Sequence, residues 1–161
     1  MNALLQPRVS LRTLSLRDVD AVVAVELVAY AFPWSRGNFI DSLSAAYVAE
    51  MLVDEQGTVL GYYVAMPGVD EMHLLNLTVA PAWQRRGHSR VLLDALERHC
   101  QERGLATLWL EVRAGNQRAR ELYTRRGFVE VGVRKNYYPA GLAKREDALV
   151  MSMPVPMTKM S

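Results

Sequence analysis

A single cysteine, Cys100, stands in the chain, so no disulfide can close within it. It lies in a helical pattern, VLLDALERHC, on the side of Leu92 and Leu96, and reads as a buried, inert thiol rather than a nucleophile. Neither sign of charge dominates. Nineteen Lys+Arg against seventeen Asp+Glu leave a net charge of +2, too even to argue for nucleic acid, and no direct nucleic acid binding is expected. The longest apolar run, AVVAVELVAYAF, is broken by Glu26 and is too short to span a bilayer, so no membrane partner is expected. The opening MNALLQPRVSL lacks a charged segment followed by an apolar one, so no secretory signal is expected and the chain reads as cytoplasmic. The three histidines, His73, His88 and His99, have no ligand spacing, which predicts no metal. Repeats and low-complexity linkers are also missing. What is left is one ordinary domain over residues 1–161, with a tail that frays from about 155.

The elements follow from periodicity and punctuation. Residues 8–14 read as a strand. Ser15, with Asp18 three residues on, has the form of a helix start, and AVVAVELVAYAF continues as that helix. PWSRGNFIDSLS gives a second short helix. AYVAEMLVDEQGTVLGYYVAMPG is a hairpin about the turn DEQG, and EMHLLNLTVAP is a strand stopped by Pro81. The helix SRVLLDALERHCQERG starts at Ser89 and ends at Gly104. ATLWLEVR is a strand, NQRARELYTRR a helix between Asn116 and Gly127, and FVEVGVRKNYY and REDALVMSMPV are two last strands. The order predicts an α/β (α+β) fold, a mixed sheet covered by helices.

Two places could carry chemistry. In VAPAWQRRGHSRVLL a basic loop with Gly87 leads into a helix N-terminus. Free N–H groups and the positive end of the helix dipole make a seat for phosphate there, with Arg85, Arg86 and Arg90 adding charge. A solvated turn with Ser89 as a plain cap is the other reading. In LWLEVRAGNQRARELYTRRGF, alternation puts Leu108, Leu110 and Val112 on one face and Trp109, Glu111 and Arg113 on the other. Glu111 is either half of a surface pair with Arg113 or an acid facing a cleft. Tyr123 shares a stripe with Ala119 and Leu122, so it is either core or a ring that aims its hydroxyl outward. Asn116 is a cap, a ligand donor, or both.

Gln84-Arg85-Arg86-Gly87-His88-Ser89 resembles the Q/R-x-x-G-x-G/A loop of the GNAT acetyltransferase superfamily, with Ser89 where that family has Gly or Ala. LLNLTVAP resembles the strand that precedes this loop in the superfamily, and FPWS (32–35), LWLEVRAGN (108–116), LY (122–123), RRGF (125–128), NYYP (136–139) and REDA (145–148) resemble its RimI-type branch, the ribosomal-protein alanine N-acetyltransferases, the similarity covering roughly residues 10–153. The resemblance implies a mostly antiparallel central sheet with a splayed strand pair and helices on both faces. It implies acetyl-CoA as co-substrate, held by the loop Arg85, Arg86, Gly87, His88, Ser89 and Arg90, by the backbone of Leu77, Thr78 and Val79, and by Asn116. It implies an N-terminal peptide of a ribosomal protein, small-subunit protein eighteen, as acceptor, bound near Phe32, Trp34, Tyr137 and Tyr138. Asp147, Glu146 or the pair Asp70-Glu71 could meet a basic residue of that peptide. It also implies that Glu111 is the base, directly or through water, and Tyr123 the acid.

The chemistry asks for such a pair. An α-amine, with a pKa of about 8, is mostly protonated at neutral pH and must lose a proton before it attacks. A carboxylate at its ordinary pKa of about 4.3 is a weak base, and apolar surroundings such as Trp109 could raise it. The leaving thiolate needs a well-positioned donor. No residue is placed to form an acyl-enzyme, so direct transfer in a ternary complex is expected. The alternatives are a transferase for lysine side chains or small amines, and a non-catalytic acyl-CoA-binding module.

Overall fold

A computed structural model describes residues 8–157. The beginning of the segment read for a secretory signal, residues 1–7, and the end of the tail read as frayed, residues 158–161, lie outside them. The elements run β1 (Ser10–Thr13), a 3-10 turn (Leu16–Asp18), α1 (Val19–Ala29), α2 (Arg36–Ser44), β2 (Val48–Val53), β3 (Val59–Pro67), β4 (Glu71–Val79), a second 3-10 turn (Pro81–Trp83), α3 (His88–Glu102), β5 (Thr107–Arg113), α4 (Gln117–Arg126), β6 (Val129–Pro139) and β7 (Arg145–Pro154). This is the order read from the sequence. The strands form a seven-stranded sheet, β1-β2-β3-β4-β5-β7-β6. The pair β4–β5 is parallel, while β1–β2, β2–β3, β5–β7 and β6–β7 are antiparallel. A mixed, mostly antiparallel α/β fold is therefore what forms. The parallel ladder runs from Glu71↔Thr107 to Leu74↔Leu110, over less than half of β4.

The chain divides into two compact units. The first takes the residues up to Met66 plus Asn76–Leu96, and the second takes Pro67–Leu75 plus everything from Glu97. In the first, Val19, Val22, Phe39, Met51, Leu60 and Leu92 are buried to within a few per cent. Each such side chain contributes about 2 kcal/mol by leaving water. The capping box read at Ser15 forms: its N–H donates to Asp18 Oδ2 at 2.9 Å. Between β2 and β3, Asp54 Oδ1 accepts from the N–H groups of Gln56 and Thr58, which closes the predicted turn. Gly61 of β3 is a packing requirement. A Cβ there would stand 2.6 Å from the Thr78 carbonyl oxygen, so only glycine lets β4 lie this close.

In the second unit, β5 alternates as predicted. Leu108, Leu110 and Val112 are buried, and Trp109, Glu111 and Arg113 are partly covered. Asn116 caps α4, its Oδ1 accepting from the Ala119 N–H at 3.1 Å, and the left-handed Gly127 ends it. Arg126 of α4 bonds Glu97 of α3 through both carboxylate oxygens, at 3.3 and 2.6 Å. Cys100 is buried and its thiol is pushed up to about 11, chiefly by burial, as an inert cysteine requires. Past β7, the Val155 N–H donates to the Ala106 carbonyl at 2.8 Å.

The β6–β7 hairpin carries a bulge. Its register shifts between Arg134 and Tyr138, and Asn136 takes a positive φ of 52° while its N–H donates to Asp147 Oδ1. In regular strand Arg134 and Tyr137 would point to opposite faces. The bulge turns both toward Glu111.

Candidate active site

Glu111 is the centre of the second unit's polar chemistry. Its side chain is only 8% exposed. Oε1 is 2.9 Å from His73 Nε2 and Oε2 is 2.6 Å from Arg134 Nε. The hydrogen bond from His73 holds the Glu111 carboxyl below its ordinary value and outweighs burial, with the charge on Arg134 and the Tyr137 hydroxyl adding to the effect. This corrects the expectation that Trp109 would raise it. Trp109 instead lies flat on the His73 ring, centroids 3.6 Å apart and planes within 9°. Nor does Glu111 pair with Arg113, which bonds the Pro139 carbonyl at 2.8 Å and Glu146 at 3.2 Å.

Around this carboxylate stand the tyrosines read from NYYP. Tyr137 and Tyr138 meet edge to face, centroids 5.0 Å apart. Arg134 lies 5.7 Å from the Tyr137 ring and Arg113 lies 4.4 Å from that of Tyr138. Both phenols are raised, by burial first and then by the charge of Glu111, Tyr138 to about 12. Tyr123 is 8% exposed and meets Phe128 edge to face at 5.4 Å, on the buried stripe that its spacing predicts. Glu146 is already engaged by Arg113 and by the Gly115 N–H, and Asp147 by the Asn136 N–H.

The first unit holds the basic loop. Arg85, Arg86, Gly87 and Arg90 are exposed, and Arg86 lies over the Trp83 ring at 5.0 Å. Arg85 and Gly87 both have left-handed φ values, 64° and 82°. A Cβ on Gly87 would meet nothing within 4 Å, so the glycine is required by φ rather than by crowding. The helix begins at His88, one residue before the predicted cap, which leaves Ser89 inside its first turn. The His88 ring is buried, with no hydrogen bond to Nε2. Burial lowers its pKa, and Arg86 lowers it further.

On β4, Leu77 and Val79 are half-buried and Thr78 is buried. The Tyr30 hydroxyl donates to the Leu77 carbonyl at 3.2 Å and stands 2.8 Å from Thr78 Oγ1, which donates to Asn76 Oδ1 at 2.7 Å. Asn76 Nδ2 donates to the buried Glu26 at 3.1 Å. Glu26 also accepts from the Tyr62 hydroxyl at 2.5 Å and from the Trp34 N–H at 2.8 Å. Trp34 packs on Phe39 at 5.1 Å, while Phe32 is 44% exposed.

Sequence reasoning missed His73, Arg134, Glu26 and Tyr30. His73 and Trp109 are partners in the parallel ladder, a pairing that no local pattern announces. The alternation in EMHLLNLTV was the available sign that His73 stands on the half-covered face of its strand.

A family model described as the acetyltransferase (GNAT) family matches residues 16–128. A [ribosomal protein bS18]-alanine N-acetyltransferase of Escherichia coli (strain K12) is 38% identical over 92% of this chain and 99% of its own. Its counterpart from Haemophilus ducreyi is 36% identical over 89% and 98%. The crystal structure of the Escherichia coli ribosomal-protein alanine N-acetyltransferase superposes with a TM-score of 0.85, at 38% identity over 94% of this chain and 97% of that one.

Proposed function

The chain belongs to the GNAT acetyltransferase family, and we propose that it transfers the acetyl group of acetyl-CoA to the N-terminal alanine α-amine of ribosomal protein bS18. What carries this reading is similarity along nearly the whole length to relatives of that activity. The whole chain serves as one acetyltransferase domain in the cytoplasm, with no nucleic acid or membrane in the reaction. Among the described residues no helix is long and apolar enough to cross a membrane.

Acetyl-CoA brings an acetyl group already activated as a thioester. The residues present suit it. Arg85, Arg86 and Arg90 are exposed cations around a left-handed Gly87 with open space before its Cα, at the start of a fifteen-residue helix. They hold the diphosphate, together with the N–H groups of His88 and Ser89. The backbone of Leu77, Thr78 and Val79 pairs with the pantetheine arm as an added strand would. Asn116 completes the cofactor contacts.

Phe32, Trp34, Tyr137 and Tyr138 hold the acceptor's first residues. Glu111 serves the proton-accepting side, and Tyr123 gives its proton to the departing sulfur. Transfer is direct, because the Cys100 thiol is buried and raised. Two peptides and two amines test the reading: one peptide beginning Ala-Arg, the same peptide N-terminally blocked, free lysine and a polyamine. Acetylation of the open peptide alone is expected. Turnover of lysine or the polyamine, with the peptide untouched, would assign another acceptor.

A further inference from the structure

Glu111 is an awkward base as it stands. Both its oxygens are engaged, one by His73 and one by Arg134. A carboxylate so placed works better as a fixed anion than as a proton store. The group beside it is better suited. Imidazole is the side chain whose ordinary proton affinity falls nearest neutrality.

The hydrogen bond fixes the His73 tautomer. The Glu111 carboxylate can only accept, so Nε2 carries the hydrogen and Nδ1 keeps a lone pair. Among the described residues Nδ1 has no hydrogen-bond partner. The His73 side chain keeps 13% of its surface exposed. Trp109 covers one face of the ring at 3.6 Å. The charged and titratable groups around His73 and Glu111 are Arg134, Tyr137 and Tyr138 from β6.

We infer that His73 Nδ1 receives the proton released by the acceptor's ammonium, directly or through one water, and that Glu111 holds the ring in the accepting tautomer. This rests on the acetyl-transfer reading above. The acceptor's ammonium gives one proton to Nδ1. The freed nitrogen lone pair forms the N–C bond, and the C–S electron pair leaves on sulfur, which takes the Tyr123 hydroxyl proton. The second nitrogen proton, lost as the amide forms, returns to the phenolate through solvent. His73 releases its proton to water. The sum is ammonium plus thioester going to amide, thiol and one proton.

The test compares wild type, His73→Gln and His73→Ala with acetyl-CoA and the Ala-Arg peptide. Gln at this position keeps an N–H for Glu111 but has no site to take a proton. Its kcat is expected to fall about a hundred-fold to ten-thousand-fold, with KM for either substrate and Tm near wild type. Added imidazole is expected to restore part of the rate of His73→Ala. A His73→Gln enzyme with wild-type kcat would overturn the proposal and leave His73 a strut. If His73→Gln melts early, the imidazole experiment decides at low temperature. No recovery in a His73→Ala protein that still binds coenzyme A overturns the proposal. Wild type that acetylates no amine removes the transferase reading and this proposal with it, whereas active wild type with an equally active His73→Gln removes this proposal alone.

Discussion

Glu26 of the first unit and Glu111 of the second are carboxylates with little exposed surface, and the two are held differently. Glu26, 2% exposed, takes its hydrogen bonds from a backbone N–H, a phenol and an amide, and among the described residues no cation pairs with it. Glu111, with a side chain 8% exposed, is gripped by an imidazole and a guanidinium. Neutral donors make Glu26 a knot that ties the end of α1 to the turn before Trp34, to β3 and to β4. Its value is structural, since each donor it satisfies would otherwise be stranded. A guanidinium and an imidazole N–H make Glu111 a directed charge. The lesson is that burial alone does not mark a reactive acid. The identity of the donors does.

The largest effect that would break this contrast is on rate. Glu111→Gln and Tyr123→Phe are each expected to lower kcat about a hundred-fold to ten-thousand-fold while acetyl-CoA affinity and Tm stay near wild type. Steady-state kinetics and calorimetry check this. Wild-type rates in both variants would make Glu111 another knot. The mirror experiment is Glu26→Ala. It strands the donors at Trp34, Tyr62 and Asn76 and is expected to cost about 3 kcal/mol in urea unfolding, with kcat of the folded enzyme within a few-fold of wild type. A rate collapse without loss of stability would reverse the assignments.

Gly87→Val probes the first unit's loop. A valine held in left-handed backbone costs about 1–2 kcal/mol. Coenzyme A affinity by calorimetry is expected to weaken about tenfold, since tenfold is about 1.4 kcal/mol. Unchanged affinity would place the diphosphate elsewhere. The smallest effect is on pH and stability. The folded Glu111 carboxyl lies below its ordinary value of 4.5, so its contribution is fully present above that pH and is lost as pH falls through the depressed folded value. Glu111→Gln should therefore lose less stability than wild type on going from neutral to acid pH. Equal losses would mean that the carboxyl is not held down.

The sequence was a good guide where structure is local. The Ser15 box, the Asp54 turn, the Asn116 cap, the left-handed Gly127 and the alternation of β5 all depend on residues a few positions apart. It was a poor guide where structure is not. His73 and Glu111 are 38 residues apart, and only the parallel register joins them. Arg134 and Tyr137 reach the same carboxylate because a bulge breaks the period of two on which any face assignment rests. Trp109 was read as a neighbour that could raise Glu111. A tryptophan's presence on a face does not reveal that a histidine of the neighbouring strand stacks on it.

The most direct measurement is mass spectrometry of purified small-subunit ribosomal proteins incubated with the enzyme and isotopically labelled acetyl-CoA. The account predicts label on the N-terminal alanine of bS18. Label confined to lysine side chains, or none on any amine, would contradict it.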